Sequence, residues 1–255
     1  MKTAFIVTSS IQVSNQYPLT YSANRTFFTA EERFRQTVMT VNSLNFLSQP
    51  DTAIYVIDTS DNYEQYRSLL IYQNNLKFIS VKDEFPEIYQ TVTTHPHKSR
   101  CETLLLSSFL MKYSKEMSDF DYFVKLTGRY SLDTSFKKDI FNQDNVNKIF
   151  FKHKLSWDWN DQWGDSFKIV DQRVSQGDNK INQYCTGVFA WGKGKTKQML
   201  DIFIGISSIL TNPSLSHYDI ETLIYYFTDS YRNDIIETDW IICGWLGADG
   251  TFFRY

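Results

Sequence analysis

Short apolar runs alternate with helical patterns through the first half of this chain, and that alternation limits its fold more than any other feature. The apolar runs are four to six residues long and end in small or polar residues, which is typical of buried strands. Parallel strands need a long crossover connection, usually a helix, so the alternation favours an α/β fold with a largely parallel sheet. The predicted strands cover residues 4–8, 53–57, 77–81 and 122–126.

The predicted helices lie between and after these strands. Thr29 with Glu32, and Ser99 with Glu102, have the spacing of a capping box, in which two residues satisfy the free N–H groups of a helix start. We expect the first helix to stop at Gln49-Pro50. The other predicted elements are helices at 61–72, 195–210 and 216–226 and strands at 148–152 and 185–191.

Composition excludes several classes of protein. The chain has 255 residues, of which 42% are hydrophobic, with a formal net charge of −3, so it is neither disordered nor a nucleic-acid binder that relies on bulk positive charge. No run approaches about 18 apolar residues, the length needed to span a bilayer. Three cysteines without a pairing framework, and no signal-peptide core, lead us to expect a cytoplasmic protein, for which peripheral membrane association stays open.

Ligands of open α/β sheets bind beyond the carboxyl ends of the strands, so strand-end residues are the first site candidates. Thr8 and Ser9 end the first predicted strand, and Asp58 ends the second. The glycine-rich dinucleotide fingerprint and the P-loop are both absent, so the common nucleotide-binding enzymes of this class lose support.

The most informative strand end is the segment KLTGRY at residues 125–130. Lys125 and Arg129 supply two cations, and Gly128 permits a turn or a close backbone approach. Arginine as a bidentate fork and lysine as a point charge suit a diphosphate. The alternative is a strand end with two solvated charges.

This strand end resembles a group of glycosyltransferase-like proteins from bacteria and large viruses that act in surface-polysaccharide synthesis, including the WavE-type lipopolysaccharide-core family. The helix at 33–44, the strand at 53–60 and the helix start at 98–102 are consistent with them. The resemblance covers residues 3–135 well and the rest loosely. With the strand-end argument, it predicts these substrate-binding residues: Thr8, Ser9, Arg35, Asp58, Lys98, Lys125, Thr127, Gly128, Arg129 and Tyr130.

The resemblance implies a single GT-A-like, Rossmann-like domain over 1–255, with a mixed, mostly parallel central sheet flanked by helices. Residues 1–135 would bind a nucleotide sugar, and 136–255 would form the acceptor side. The implied function is transfer of a sugar from a nucleoside-diphosphate sugar to a surface glycan or glycolipid acceptor of lipopolysaccharide, capsule or viral type. The alternatives are a non-catalytic nucleotide- or sugar-binding relative, and a different nucleotide-dependent transferase on a similar sheet.

Metal use is the point at which the chain departs from this pattern. GT-A-like proteins usually end the central strand in Asp-x-Asp, which holds a divalent metal, whereas Thr127-Gly128-Arg129 stands there in this chain. Asp119 and Asp121 have the right spacing, but they precede the strand. We therefore assign no metal ligands and no certain cofactor. The cations Lys98, Arg100, Lys125 and Arg129 would do the work of the metal; if Mn²⁺ or Mg²⁺ binds, the first suspects are Asp158, Asp161 and Asp165.

Asp219 and Glu221 are the candidates for the catalytic base. They lie at the start of a predicted helix, where some GT-A-like enzymes that invert the sugar configuration hold a carboxylate that deprotonates the acceptor. Of the two, Asp219 is slightly favoured. The alternative is helix capping, because acidic residues favour helix N-termini in any case. The loop at 157–165, with three Trp and three Asp, either binds a sugar acceptor or covers the core.

Overall fold

A computed structural model describes most of the chain. The described residues are 1–20, 22–45, 47, 51–61, 66, 75–158, 180–215, 218–247 and 249–254. Three predicted segments therefore lie partly outside the described residues: the helix at 61–72 except for Asp61 and Tyr66, most of the loop at 157–165 (with Asp161 and Asp165) and the first two residues of the helix at 216–226.

The described strands are β1 (Thr3–Ser9), β2 (Thr52–Asp58), β3 (Leu76–Ser80), β4 (Tyr122–Thr127), β5 (Tyr130–Leu132), β6 (Ile149–Lys152), β7 (Leu155–Asp158), β8 (Lys180–Gln183), β9 (Val188–Gly192), β10 (Ile235–Thr238), β11 (Ile242–Trp245) and β12 (Phe252–Arg254). Seven of them form the central sheet, in the order β10-β6-β9-β4-β1-β2-β3. In this sheet only β9 runs against its neighbours, since it pairs antiparallel with both β4 and β6 while all the other pairs are parallel. The mixed, mostly parallel sheet is thus confirmed.

Helices cover both faces of this sheet. Those described are α1 (Ala30–Asn45), α2 (Val81–Glu84), α3 (Pro86–Thr94), α4 (Lys98–Lys112), α5 (Ser114–Met117), α6 (Thr196–Ile209) and α7 (Ile220–Phe227). In the part of the chain that is described, no helix has the length and apolar character to cross a membrane.

The two predicted capping boxes have different outcomes. Thr29 and Glu32 form theirs, with the Thr29 N–H donating to the Glu32 carboxylate at 2.8 Å and the Glu32 N–H donating to the Thr29 hydroxyl at 3.3 Å. The Ser99 prediction is wrong, because α4 already begins at Lys98. The Ser99 hydroxyl instead accepts the N–H of Ile220 at 3.0 Å, which ties the start of α4 to the start of α7.

Aromatic side chains fill the layers between the sheet and its cover. On one face, Phe123, Phe189 and Trp191 of the sheet are packed with the apolar residues of α4, α6 and α7. On the other, Phe150 and Trp240 share a cluster with α1 and the segment after β5. The described aromatic residues are thus largely accounted for by the core.

Candidate functional site

A large cavity opens at the carboxyl edge of the sheet. The carboxyl ends of β1, β2 and β4 meet there, with Ser9 paired to Asp58 and Thr8 to Thr127. Because β9 is reversed, the residues just before it reach the same edge, and the Thr127 N–H donates to the carbonyl of Gly187 at 3.0 Å. The cavity has a volume of about 1410 Å³. This is the position at which open α/β sheets bind ligands.

Most of the predicted site residues line this cavity. They are Thr8, Ser9, Lys98, Thr127, Arg129, Tyr130, Asp219 and Glu221. Four others do not line it: Arg35, Asp58, Lys125 and Gly128.

Arg33, and not the predicted Arg35, lines the cavity. The Arg35 side chain is exposed and pairs with Glu31 at 2.6 Å on the outer face of α1. Arg33 is only 5% exposed, lines the cavity and donates hydrogen bonds to the carbonyl of Ser10 and, at 3.0 Å, to the hydroxyl of Thr26.

Sequence reasoning missed Arg33 because the inward face of α1 is largely polar, so hydrophobic spacing does not mark it. The buried residues of α1 recur at helical spacing. They are Arg33, Gln36, Thr37, Thr40, Val41 and Leu44.

Asp58 and Gly128 shape the cavity wall without facing it. The fully buried Asp58 carboxylate accepts the N–H groups of Ile11 at 3.0 Å and Ser60 at 2.8 Å, and so fixes the loop after β1. Gly128 permits a close backbone approach, because a Cβ there would lie 3.0 Å from the Thr8 carbonyl oxygen. Both residues are architectural in this structure.

Lys125 is buried behind the cavity wall, so it cannot touch a ligand as the sequence suggested. Its ammonium group forms an ion pair with Glu102 and donates to the carbonyl of Thr186 at 2.7 Å and to the hydroxyl of Thr127 at 3.0 Å. Glu102 lines the cavity, where burial would raise its pKa, but the charges of Lys125, Arg129 and Lys98 bring that pKa below its usual value. Lys125 thus neutralises an acid that faces the cavity.

Among the described residues, four cations line the cavity and make no ion pair with a carboxylate: Arg25, Arg33, Lys98 and Arg129. Arg25 donates to the carbonyls of Tyr17 at 3.1 Å and Thr94 at 3.2 Å, and Arg129 donates to the carbonyl of Trp245 at 3.3 Å. Burial, with repulsion from Arg129 and Arg33, lowers the pKa of Lys98 to about 7. Burial and the charge of Arg129 lower the pKa of Arg33 to about 9. These cations are held close together at an electrostatic cost that a bound anion would relieve.

The two acidic residues at the start of α7 have different surroundings. Asp219 is the N-cap and accepts the N–H of Thr222 at 2.7 Å. Glu221 accepts a hydrogen bond from the Thr186 hydroxyl, and burial together with the nearby charge of Asp219 raises its pKa to about 7. A carboxylate with such a pKa can take up a proton near neutral pH.

The described residues do not fit a divalent metal. They contain no group of three or more His, Cys, Asp or Glu side chains that could hold one. Glu102 is already paired with Lys125, and Arg33, Lys98 and Arg129 line the same cavity. The Asp121 carboxylate accepts the N–H of Lys2 at 2.8 Å, at the amino end of β1, which is the opposite edge of the sheet.

Comparisons with known proteins agree with this architecture at the level of fold. No protein-family model and no curated protein sequence matches the chain. Its fold is similar to that of core-mannan synthase A from Aspergillus fumigatus in the Mn/GDP form, with a TM-score of 0.56 and 9% identity over 95% of this chain and 74% of that one. It is also similar to mouse xyloside xylosyltransferase 1 in the apo form, with a TM-score of 0.56 and 10% identity over 94% of this chain and 86% of that one. The chain therefore has the GT-A glycosyltransferase fold, and the predicted fold class is confirmed.

Proposed function

We propose that the protein is a glycosyltransferase that takes a sugar from a nucleoside-diphosphate sugar and transfers it to a glycan or glycolipid acceptor. The observation that carries the proposal is the division of charge within one cavity. Unpaired cations from α1, α4 and the end of β4 suit the diphosphate of a donor, while Glu221 in the same cavity suits an acceptor hydroxyl.

Each group would have a defined part in the reaction. The bond between the anomeric carbon and the diphosphate breaks, and the negative charge that develops on the departing diphosphate is stabilised by the cations. The acceptor oxygen forms the new bond to the anomeric carbon, and its proton passes to the carboxylate of Glu221. We assign the base to Glu221 rather than Asp219, because the Asp219 carboxylate already caps α7.

Features of the sequence support the proposed class of acceptor and the proposed stereochemistry of the transfer. The resemblance of the segment 125–130 to WavE-type proteins supports a surface glycan acceptor of lipopolysaccharide or capsule type, and a carboxylate base supports inversion at the anomeric carbon. The three cysteines, all free thiols, support a reaction in the cytoplasm, where thiols stay reduced.

A donor screen followed by turnover measurements tests the proposal. Thermal-shift measurements with UDP-, GDP-, dTDP- and CMP-sugars identify the donor, since a ligand present at 100 times its dissociation constant stabilises the native state by about 2.7 kcal/mol. We expect one nucleoside-diphosphate sugar to stabilise the protein and to be turned over with a glycan acceptor to an inverted product, as read by NMR of the anomeric proton.

Variants then test the base. Glu221→Gln is expected to lower kcat by about 10²–10⁴ without weakening donor binding. Glu31→Gln, which alters an exposed carboxylate on α1, is the matched control and should not change kcat. A retained anomeric configuration would contradict Glu221 as the base. Donor binding without turnover on any glycan would favour the non-catalytic alternative.

A further inference from the structure

The side chains at the donor end of the cavity carry an inference about how the diphosphate is bound, and this inference rests on the proposed function. In the described residues, the oxygen ligands that a divalent metal requires are not gathered there. The strand end of β4, next to the carboxyl end of β1, presents Thr127, Gly128 and Arg129 instead of an acidic pair.

We infer that Arg33, Lys98 and Arg129 bind the donor diphosphate directly and that no divalent metal takes part. The three side chains come from three separate elements: Arg33 from α1, Lys98 from the first position of α4, and Arg129 from the turn after β4. All three line the same cavity; the charge of Arg129 lowers the pKa of both Arg33 and Lys98, and the charge of Arg33 lowers that of Lys98, so the three lie close together.

The nearby carboxylates have other direct partners and, among the described residues, form no ion pair with this cluster. Glu102 is bound to Lys125, and Asp58 accepts two backbone N–H groups. Arg33, although almost wholly buried, uses its guanidinium on neutral oxygens only among the described residues. Burying cations without a paired anion lowers the stability of a fold. A bound anion with several oxygens would accept their hydrogen bonds and offset that cost.

The arrangement also disfavours a metal ion. A divalent cation at this end of the cavity would be repelled by Arg33, Lys98 and Arg129, and the Glu102 carboxylate is already neutralised by Lys125. Cationic side chains and a metal ion are alternative ways to neutralise a diphosphate, and this end of the cavity has cationic side chains.

Calorimetric titration of the full chain with UDP, GDP, dTDP and inorganic pyrophosphate, in EDTA and then in Mn²⁺, tests the inference. We expect pyrophosphate and one nucleoside diphosphate to bind in EDTA, with affinities that change less than threefold when Mn²⁺ is supplied. Lys98→Gln is expected to weaken both at least tenfold in EDTA. Arg35→Gln is the matched control, since it removes an exposed cation from α1 and should leave both affinities unchanged.

Because Arg33 is buried and its replacement can disturb folding, Arg129→Gln is the second variant, with circular dichroism and melting temperature as checks. It too should weaken pyrophosphate binding at least tenfold while the protein remains folded. Binding that appears only with Mn²⁺, or that survives both Lys98→Gln and Arg129→Gln, would overturn the inference. A strictly Mn²⁺-dependent nucleoside diphosphate would leave the proposed function standing, whereas a failure of every diphosphate to bind in both conditions would overturn both.

Discussion

The hydroxyl of Thr186 donates a hydrogen bond to the carboxylate of Glu221. Thr186 lies just before the reversed strand β9, and Glu221 lies in the first turn of α7, so the bond joins the sheet edge to the helix that carries the proposed base. It favours the ionised form of Glu221, against the burial and the Asp219 charge that raise the pKa of this group.

Thr186→Val should therefore raise the pKa of Glu221 above its value of about 7, because it removes a donor to the charged form. The base must be ionised to accept a proton, so the acidic limb of the kcat/KM profile should move up by about one pH unit. Activity should fall at neutral pH and recover in more alkaline buffer. Thr186→Ser keeps the hydroxyl and should restore the wild-type profile; an unshifted limb in the valine variant would remove Glu221 from the base role.

Diphosphate binding should be linked to proton uptake by Lys98. Its pKa is lowered to about 7 by burial and by repulsion from Arg129 and Arg33, and a bound anion must raise it. Affinity should consequently fall as the pH rises above about 7. Near pH 8, titrations in buffers of different ionisation enthalpy should report protons taken up by the complex.

Lys98→Arg supplies the comparison, because arginine keeps its charge throughout this range. The variant should bind a diphosphate with little dependence on pH between about 7 and 9 and should take up fewer protons. Equal proton uptake by wild type and variant would show that another group titrates.

Lys98 should also destabilise the empty protein. Its pKa is about 7 when folded but near 10.4 in an unfolded chain, so between these values the unfolded state binds more protons and the free energy of unfolding rises with pH. Lys98→Met should raise that free energy at neutral pH by about 1–3 kcal/mol and flatten the rise with pH. Urea denaturation across this range measures both effects, and a less stable methionine variant would contradict the expectation.

Asp219 should matter to stability more than to the rate. Its carboxylate caps α7 through the N–H of Thr222 at 2.7 Å, so Asp219→Ala should cost about 1 kcal/mol. Asp219→Asn keeps a capping oxygen and should recover most of that loss. With both variants folded, kcat should stay within a few-fold of wild type; a loss of several hundred-fold in Asp219→Asn would transfer the base role to Asp219.

Replacing Lys125 should lower the free energy of unfolding more than replacing any cation that faces the cavity. Lys125 is 0% exposed, and its loss would leave the Glu102 carboxylate without its partner. Lys125→Met should cost about 3–5 kcal/mol, the usual effect of breaking a buried ion pair. The double variant Lys125→Met/Glu102→Gln should recover part of that cost, and chemical denaturation of the three proteins checks the coupling.

The fold was predictable because its strands are apolar throughout and are separated by helices. Every residue of β1 and nearly every residue of β2 and β4 is buried, which shows in the sequence as continuous apolar runs. The short strands β5 and β7 have partly exposed residues and no such signal, so they were not predicted.

The position of the cavity at the carboxyl edge was also predictable, but not every side chain that lines it. Whether a cation at a strand end faces the cavity or the core depends on its alternation along the strand and on its partner in another helix. Lys125 pairs with Glu102 of α4, a contact between residues far apart in sequence, and so faces inward. Arg33 and Arg35 differ only by two positions on α1, and helix packing decides which one is buried.

The place of β9 in the sheet bears on whether the first half of the chain can be produced by itself. In the whole protein β4 lies between β1 and β9 and is hydrogen-bonded on both sides. A fragment of residues 1–135 would lack β9, leaving β4 as an edge strand whose apolar residues and free N–H and C=O groups invite pairing with other molecules. Such a fragment is expected to aggregate, so residues 1–135 depend on the rest of the chain for their solubility as well as for Thr186 and Glu221.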